Sequence, residues 1–328
     1  MTTNNLSANK LEAEGVESEA QPGAGKRVGV IGVPLDFGAE VGGVGLGPAA
    51  MRIARLNHRL ASLGYTVRDL GDLCIVKPGE PCLVGEKTKH LPEIAKVCED
   101  LSAEVRGLFD AGEFPLIIGG DHAIAAGSIA GVTAHHHFKT EPQQIGLIWF
   151  DAHADMNTPE TTPSGNVHGM PLAALLGYGA RELTHIAGFA PKLQPRFCAH
   201  IGARDVDPGE RELIRRTGIR CMTMREIDER GMSACVEEAI EIASRAPAGY
   251  HVTFDVDSLD PVDAPGSGTT VRGGLTYREA HLAMEKIAEA GGMISLEIVE
   301  INTTLDINNK TAELGVQLVL SALGKTIL

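Results

Sequence analysis

Residues 150–169 read FDAHADMNTPETTPSGNVHG. The apolar run 145–150 leads into them and has the character of a parallel strand buried on both faces. It ends in Asp151, His153 and Asp155, spaced i, i+2, i+4. Where a chain leaves a strand in extended form, alternate side chains point the same way, so this spacing predicts that all three converge. Two carboxylates and an imidazole gathered without a counter-charge repel one another and are costly to desolvate. A divalent cation removes that cost. Without one, the same residues would be solvated charges and a structural histidine at a strand end.

The same grammar recurs along the chain. Residues 27–33 form a short apolar strand, followed by a glycine-rich loop over 38–47 and a helix over 48–63. That loop, GAEVGGVGLG, matches neither GxGxxG nor the Walker pattern, so tight turns near a site are its expected role. A strand is expected over 65–70 and a long amphipathic helix over 88–111. The strand at 114–118 runs into Gly119, Gly120, Asp121 and His122, then a helix over 123–131. The run His135-His136-His137 follows, and a loop cluster without carboxylates reads as solvated surface. Beyond the central stretch come a helix over 171–176 and strands at 198–202, 250–254 and 293–299, with helices over 235–245, 277–290 and 311–323. Alternating strands and helices argue for one α/β domain, an open, mostly parallel sheet with helices on both faces. Ligands of such folds bind at the carboxyl ends of the strands. Five strands here end in His122, the Asp151 group, the segment 205–210, Asp255/Asp257 and Glu300.

Composition narrows the function. Of 328 residues, 43% are hydrophobic and 22% charged, ordinary for a soluble globular protein. A net charge of -14 gives no basic surface for nucleic acid. The six cysteines are scattered without a CxxC pair, which fits reduced thiols of the cytoplasm. No apolar run approaches a membrane span, so no membrane partner is expected. Residues 1–25 lack the apolar core of a signal peptide and carry four glutamates without an arginine; they read as a disordered acidic tail before a catalytic domain over 26–328.

His122, Asp151, His153, Asp155, Asp255 and Asp257 are the candidate metal ligands. Four carboxylates and two neutral imidazoles carry a formal charge of about -4, which two divalent ions would balance and one would not. An oxygen and nitrogen set without thiolate suits manganese best, with zinc a further candidate and magnesium, cobalt or iron a poorer match to these ligand types. Water between two such ions is acidified enough to attack near neutral pH, so hydrolysis is the expected chemistry.

Three segments, GGDHAIAAGS (119–128), DAHADMNTPETTPSGNVHG (151–169) and FDVDSLDP (254–261), resemble the metal-binding signatures of the ureohydrolases, and within them the arginase family. The resemblance implies an arginase-like three-layer sandwich and two manganese ions per subunit. His122 and Asp155 would serve one ion, His153 and Asp257 the other, with Asp151 and Asp255 bridging. It implies hydrolysis of L-arginine to L-ornithine and urea by a metal-bridging hydroxide. Asn157 and Ser164 would receive the α-carboxylate, Asp207 and Glu210 the α-amino group, and Thr269 would line the pocket. Asp155 would pass a proton toward the departing amine, His168 would relay protons, and Glu300 would lie near the guanidinium and His168. A homo-oligomer, trimer or hexamer of the bacterial type, is also implied. The alternatives are an agmatinase-like hydrolase of another guanidino compound and a non-catalytic arginine-binding homologue.

Overall fold

Short runs of aliphatic and β-branched residues, each bounded by glycine or a polar turn, pair into one sheet. The computed structural model describes residues 21–79 and 85–327. Its strands are β1 Arg27–Val33, β2 Thr66–Asp72, β3 Phe114–Gly119, β4 Gly146–Phe150, β5 Cys198–Ala203, β6 Arg220–Thr223, β7 Tyr250–Asp255 and β8 Met293–Val299. They lie in the order β2-β1-β3-β8-β7-β4-β5-β6, and every pair is parallel. All crossovers therefore run through helices, and all carboxyl ends share one edge. The five strands whose ends carry the candidate residues, β3, β8, β7, β4 and β5, are consecutive in space. Phe150 is level with Phe254 and Ile201, and Asp255 with Val299, so the residues that follow emerge at one height.

Alternation along the strands builds a core on each face. Ile148, Phe150, Val252 and Phe254 face the helices Gly47–Ile53, Met232–Ser244, Tyr277–Ala290 and Lys310–Ala322. Leu147, Trp149 and Ile117 face the helices Leu91–Asp110, Ala125–His137 and Pro171–Leu175. Each such side chain, taken out of water, contributes about 1.5–3 kcal/mol.

Several local expectations change. The helix expected over 48–63 is two helices, Gly47–Ile53 and Leu56–Ser62, broken where Arg55 takes a left-handed φ of 67°. The segment after β5 is not a bare polar loop: Pro208–Thr217 is a helix, followed by β6 and the helix Met224–Arg230. The histidine run ends the helix Ala125–His137 rather than lying in a loop, and it is not solvated surface. His136 is buried, His135 stacks on Phe109 and His137 on Phe189, which is what three aromatic rings on the last turn of a packed helix gain from their neighbours.

Residues 1–20 of the expected acidic tail, and Cys82, lie outside the described residues. Residues 21–25 form a turn in which the Gly23 N–H donates to Leu63 O at 2.9 Å.

Candidate active site

Each strand end turns its side chains into the edge by a local hydrogen bond. After β4 the His153 N–H donates to Asp151 Oδ1 at 2.7 Å, and after β7 the Asp257 N–H donates to Asp255 Oδ1 at 2.7 Å. These are turns centred on the aspartate, not continued extended chain. Asp155 sits at a left-handed φ of 51°, held because its carbonyl accepts from Leu172 and Ala173 N–H at the start of the helix Pro171–Leu175. The convergence expected from i, i+2, i+4 spacing is therefore reached by a bend and one strained residue. After β3, Gly120 donates to Val33 O at 2.7 Å, and a Cβ there would overlap the Leu35 carbonyl. Only glycine lets β3 exit so close to the end of β1, and that exit delivers His122 to the site.

The structure brings all six candidate ligands together. His122 Nδ1 is 3.1 Å from Asp151 Oδ2, 3.1 Å from Asp155 Oδ2 and 3.3 Å from Asp255 Oδ2. His153 Nδ1 is 3.0 Å from Asp257 Oδ2 and 3.5 Å from Asp151 Oδ1. Two groups with metal-ligand spacing result, His122–Asp151–Asp255 and Asp151–His153–Asp257, which share Asp151. Asp155 adjoins the first through His122. Despite these short distances, His122 Nδ1 and Asp155 Oδ2 are buried with no hydrogen-bond partner. Donor atoms that crowd one point without bonding to one another fit ions at that point.

The electrostatics agree. Burial and the charge of Asp151 push Asp155 up to about 7, and burial with Asp257 and Asp151 pushes Asp255 well above the usual carboxylate range. Burial opposes a charge on His122, yet its carboxylate neighbours outweigh this and raise it. Groups so mutually destabilised are a site prepared for cations.

Above the ligands opens a cleft of about 150 Å³, lined by Asn157, Ser164, His168, Asp207, Glu210 and Thr269 among others. Asn157 Nδ2 donates to Asp207 Oδ2 at 2.8 Å, and Thr269 Oγ1 donates to Asp257 Oδ2 at 2.9 Å. Glu210 caps the helix Pro208–Thr217, its two oxygens accepting from Met156 N–H at 3.0 Å and Asp207 N–H at 2.8 Å. Burial raises it to about 7, against those two bonds. His168 Nδ1 lies 3.0 Å from Glu300 Oε1. Burial would keep His168 neutral, but the bond and charge of Glu300 carry it up to about 9.

Comparison with known proteins decides what this assembly is. Residues 26–324 match the family described as "Arginase family". The chain belongs to the arginase family. An arginase of Bacillus caldovelox is 47% identical over 304 residues, 92% of this chain and all of that one. The crystal structure of arginase from Bacillus cereus superposes with a TM-score of 0.86 at 46% identity, covering 92% of this chain and 100% of that chain. The Entamoeba histolytica arginase described in complex with L-ornithine gives 0.82 at 29% identity, covering 92% and 99%.

In this arginase-family chain, sequence reasoning did not single out Asn166, Thr162, Lys87 or Lys89. Asn166 and Thr162 line the cleft, while Lys89 Nζ donates to Asn166 Oδ1 and Lys87 Nζ to Thr162 O, each at 2.8 Å. Their spacing of 75–77 residues from those partners leaves no periodic signal.

Proposed function

We propose that this chain hydrolyses the guanidinium group of L-arginine, giving L-ornithine and urea. One observation carries the reading: two His/Asp groups sharing Asp151 lie at a cleft that also holds Asn157, Ser164, Asp207 and Glu210. Relatives named arginase that match nearly the whole chain support it.

The ions are assigned as manganese, two per subunit, on the oxygen and imidazole donor set without thiolate. His122 and Asp155 would hold one, His153 and Asp257 the other, with Asp151 and Asp255 between them. Bound there, the pair supplies a water acidic enough to react near neutral pH and offsets charge developing at the guanidinium carbon.

The chain's own groups do the rest. Glu300 Oε2 is buried without a partner, which leaves it available to accept from a guanidinium N–H. Asn157 and Ser164 donate to the α-carboxylate, Asp207 and Glu210 receive the α-ammonium, and Thr269 lines the pocket. Asp155 hands a proton toward the departing amine, and His168, at the cleft wall, exchanges protons with solvent.

Residues 26–328 are assigned to one catalytic domain after a tail over 1–25, in a cytoplasmic homo-oligomer of three or six chains. The family match over 26–324 and the unpaired state of five cysteines among the described residues support domain and compartment. Exposed Ile53, Val262 and Ile307 offer apolar surface for assembly. No helix among the described residues is long and apolar enough to cross a membrane.

Urea release from L-arginine and from agmatine, by metal-stripped protein with and without added manganese, tests the reading. Manganese-dependent release from arginine that His153→Ala loses is the expected result. An agmatine preference would replace the substrate; two bound ions with no urea from any guanidino compound would leave only a binding protein.

A further inference from the structure

One ionisable group that is wholly inaccessible to solvent is Glu297, on β8 in the middle of the sheet. No step of the hydrolysis uses it. Burial raises it, so keeping a carboxylate there is costly, and apolar neighbours would pack as well. What it touches is informative. Thr253 Oγ1, on the adjacent strand β7, donates to Glu297 Oε1 at 2.9 Å, and the same hydroxyl oxygen lies 3.0 Å from His122 Nε2. Glu297, Thr253 and His122 thus form one line from the sheet interior to the candidate ligands, all 0–1% exposed.

A hydroxyl has one proton. Because Thr253 gives its proton to Glu297, it can only accept from His122, so Nε2 must carry the imidazole hydrogen. Nδ1 is then bare. That is the nitrogen with Asp151, Asp155 and Asp255 oxygens at 3.1–3.3 Å and no hydrogen-bond partner. A lone pair facing three carboxylates is repulsive unless a cation, or in the metal-free site a proton, lies between them.

We propose that Glu297 is a positioning residue: acting through Thr253, it fixes the tautomer and ring orientation of His122 and so sets the affinity of the ion that His122 holds. This rests on the binuclear reading above. Ligand histidines whose distal N–H is bonded in this way lose about 10–100-fold in metal affinity when that partner is removed.

The test is a manganese titration of metal-stripped protein, with free Mn²⁺ read by electron paramagnetic resonance and folding followed by thermal unfolding of the metal-free forms. Glu297→Gln offers an amide N–H to Thr253 and lets the hydroxyl turn toward His122, putting the hydrogen on Nδ1. The expected result is that one of two ions per chain binds about 10–100-fold more weakly. Thr253→Val should do the same, Thr253→Ser should bind as wild type, and Thr253→Val/Glu297→Gln should be no worse than Thr253→Val alone. Wild-type isotherms in both Glu297→Gln and Thr253→Val overturn the proposal, as does an equal loss of both ions with lowered metal-free stability, which is mere structural damage. If the wild type itself takes up fewer than two ions, the binuclear reading falls and this inference with it.

Discussion

His168 Nδ1 and the His122 backbone N–H meet at the same oxygen, Glu300 Oε1, at 3.0 and 2.8 Å. One carboxylate therefore joins the candidate proton carrier to a ligand-bearing turn while its other oxygen stays unpaired. It can do so because Glu300 leaves β8 in a left-handed conformation, φ 64°, pinned by its N–H donating to Gly120 O at 2.9 Å. Glu300→Gln keeps the shape and the accepting oxygen but loses the charge. It is expected to fold and to lose about 10²–10³-fold in kcat, the scale for one electrostatic group removed from a reacting centre. Steady-state urea release beside a melting curve checks this; an unchanged kcat removes Glu300 from the chemistry.

The same pair gives a pH signature. Glu300 raises His168 from 6.5 to about 9 in the fold, so the folded state binds the proton more tightly than the unfolded one. The stabilisation is present in full below pH 6.5 and is lost as pH rises through about 9. Denaturant unfolding of metal-free wild type and His168→Asn, at pH 6.5 and at pH 10, should show their difference shrinking on the order of 3 kcal/mol. A difference that stays constant with pH would mean that His168 is not charged by Glu300.

Ion loss should distinguish shared from unshared ligands. Asp151 presents Oδ2 to His122 and Oδ1 to His153, whereas His153 serves only the second group. Asp151→Asn is expected to empty both positions and His153→Ala mainly one, read as manganese per chain after dialysis. Chelation of the wild type should lower its melting temperature and added manganese restore it, since an ion at a hundred times its Kd contributes about 2.7 kcal/mol. Equal manganese content in the two variants would contradict a shared Asp151.

How far the sequence carried this depends on the residue. The apolar runs and their terminal polar residues placed β3, β4, β7 and β8 and all six candidate ligands, because buried parallel strands and glycine turns leave strong local signals. Which strands are neighbours was not legible: β8 lies between β3 and β7, and its pairing with β3 joins residues more than 150 apart along the chain. The reason the ligands converge was also misjudged, since Asp155 reaches the site through a positive φ that spacing cannot reveal. The helix Pro208–Thr217 escaped notice because its signal is a capping pair, Asp207 and Glu210, whose carboxylates were read only as substrate contacts. Glu297 and Thr253 left no trace, because each lies inside its strand rather than at the carboxyl end where the other site residues are.

Arg204 is another residue whose weight appears only in three dimensions. Its guanidinium donates to five backbone carbonyls: Gly202, Asp257, Ser258, Leu259 and Val271, at 2.6–3.2 Å. Those atoms belong to the end of β5, the turn that carries Asp257, and the loop that carries Thr269. The planar fork reaches all of them at once; an ammonium with three donors cannot. Arg204→Met should strand several buried acceptors, each costing about 1–3 kcal/mol, and lower stability by on the order of 3 kcal/mol even after relaxation. Arg204→Lys should recover less than half of that. Because the clamp holds Asp257 and Thr269 in place, both variants should also weaken manganese binding at the His153–Asp257 position more than at the His122 position. A lysine variant with wild-type stability and metal content would show that charge, not the fork, is what this corner of the site requires.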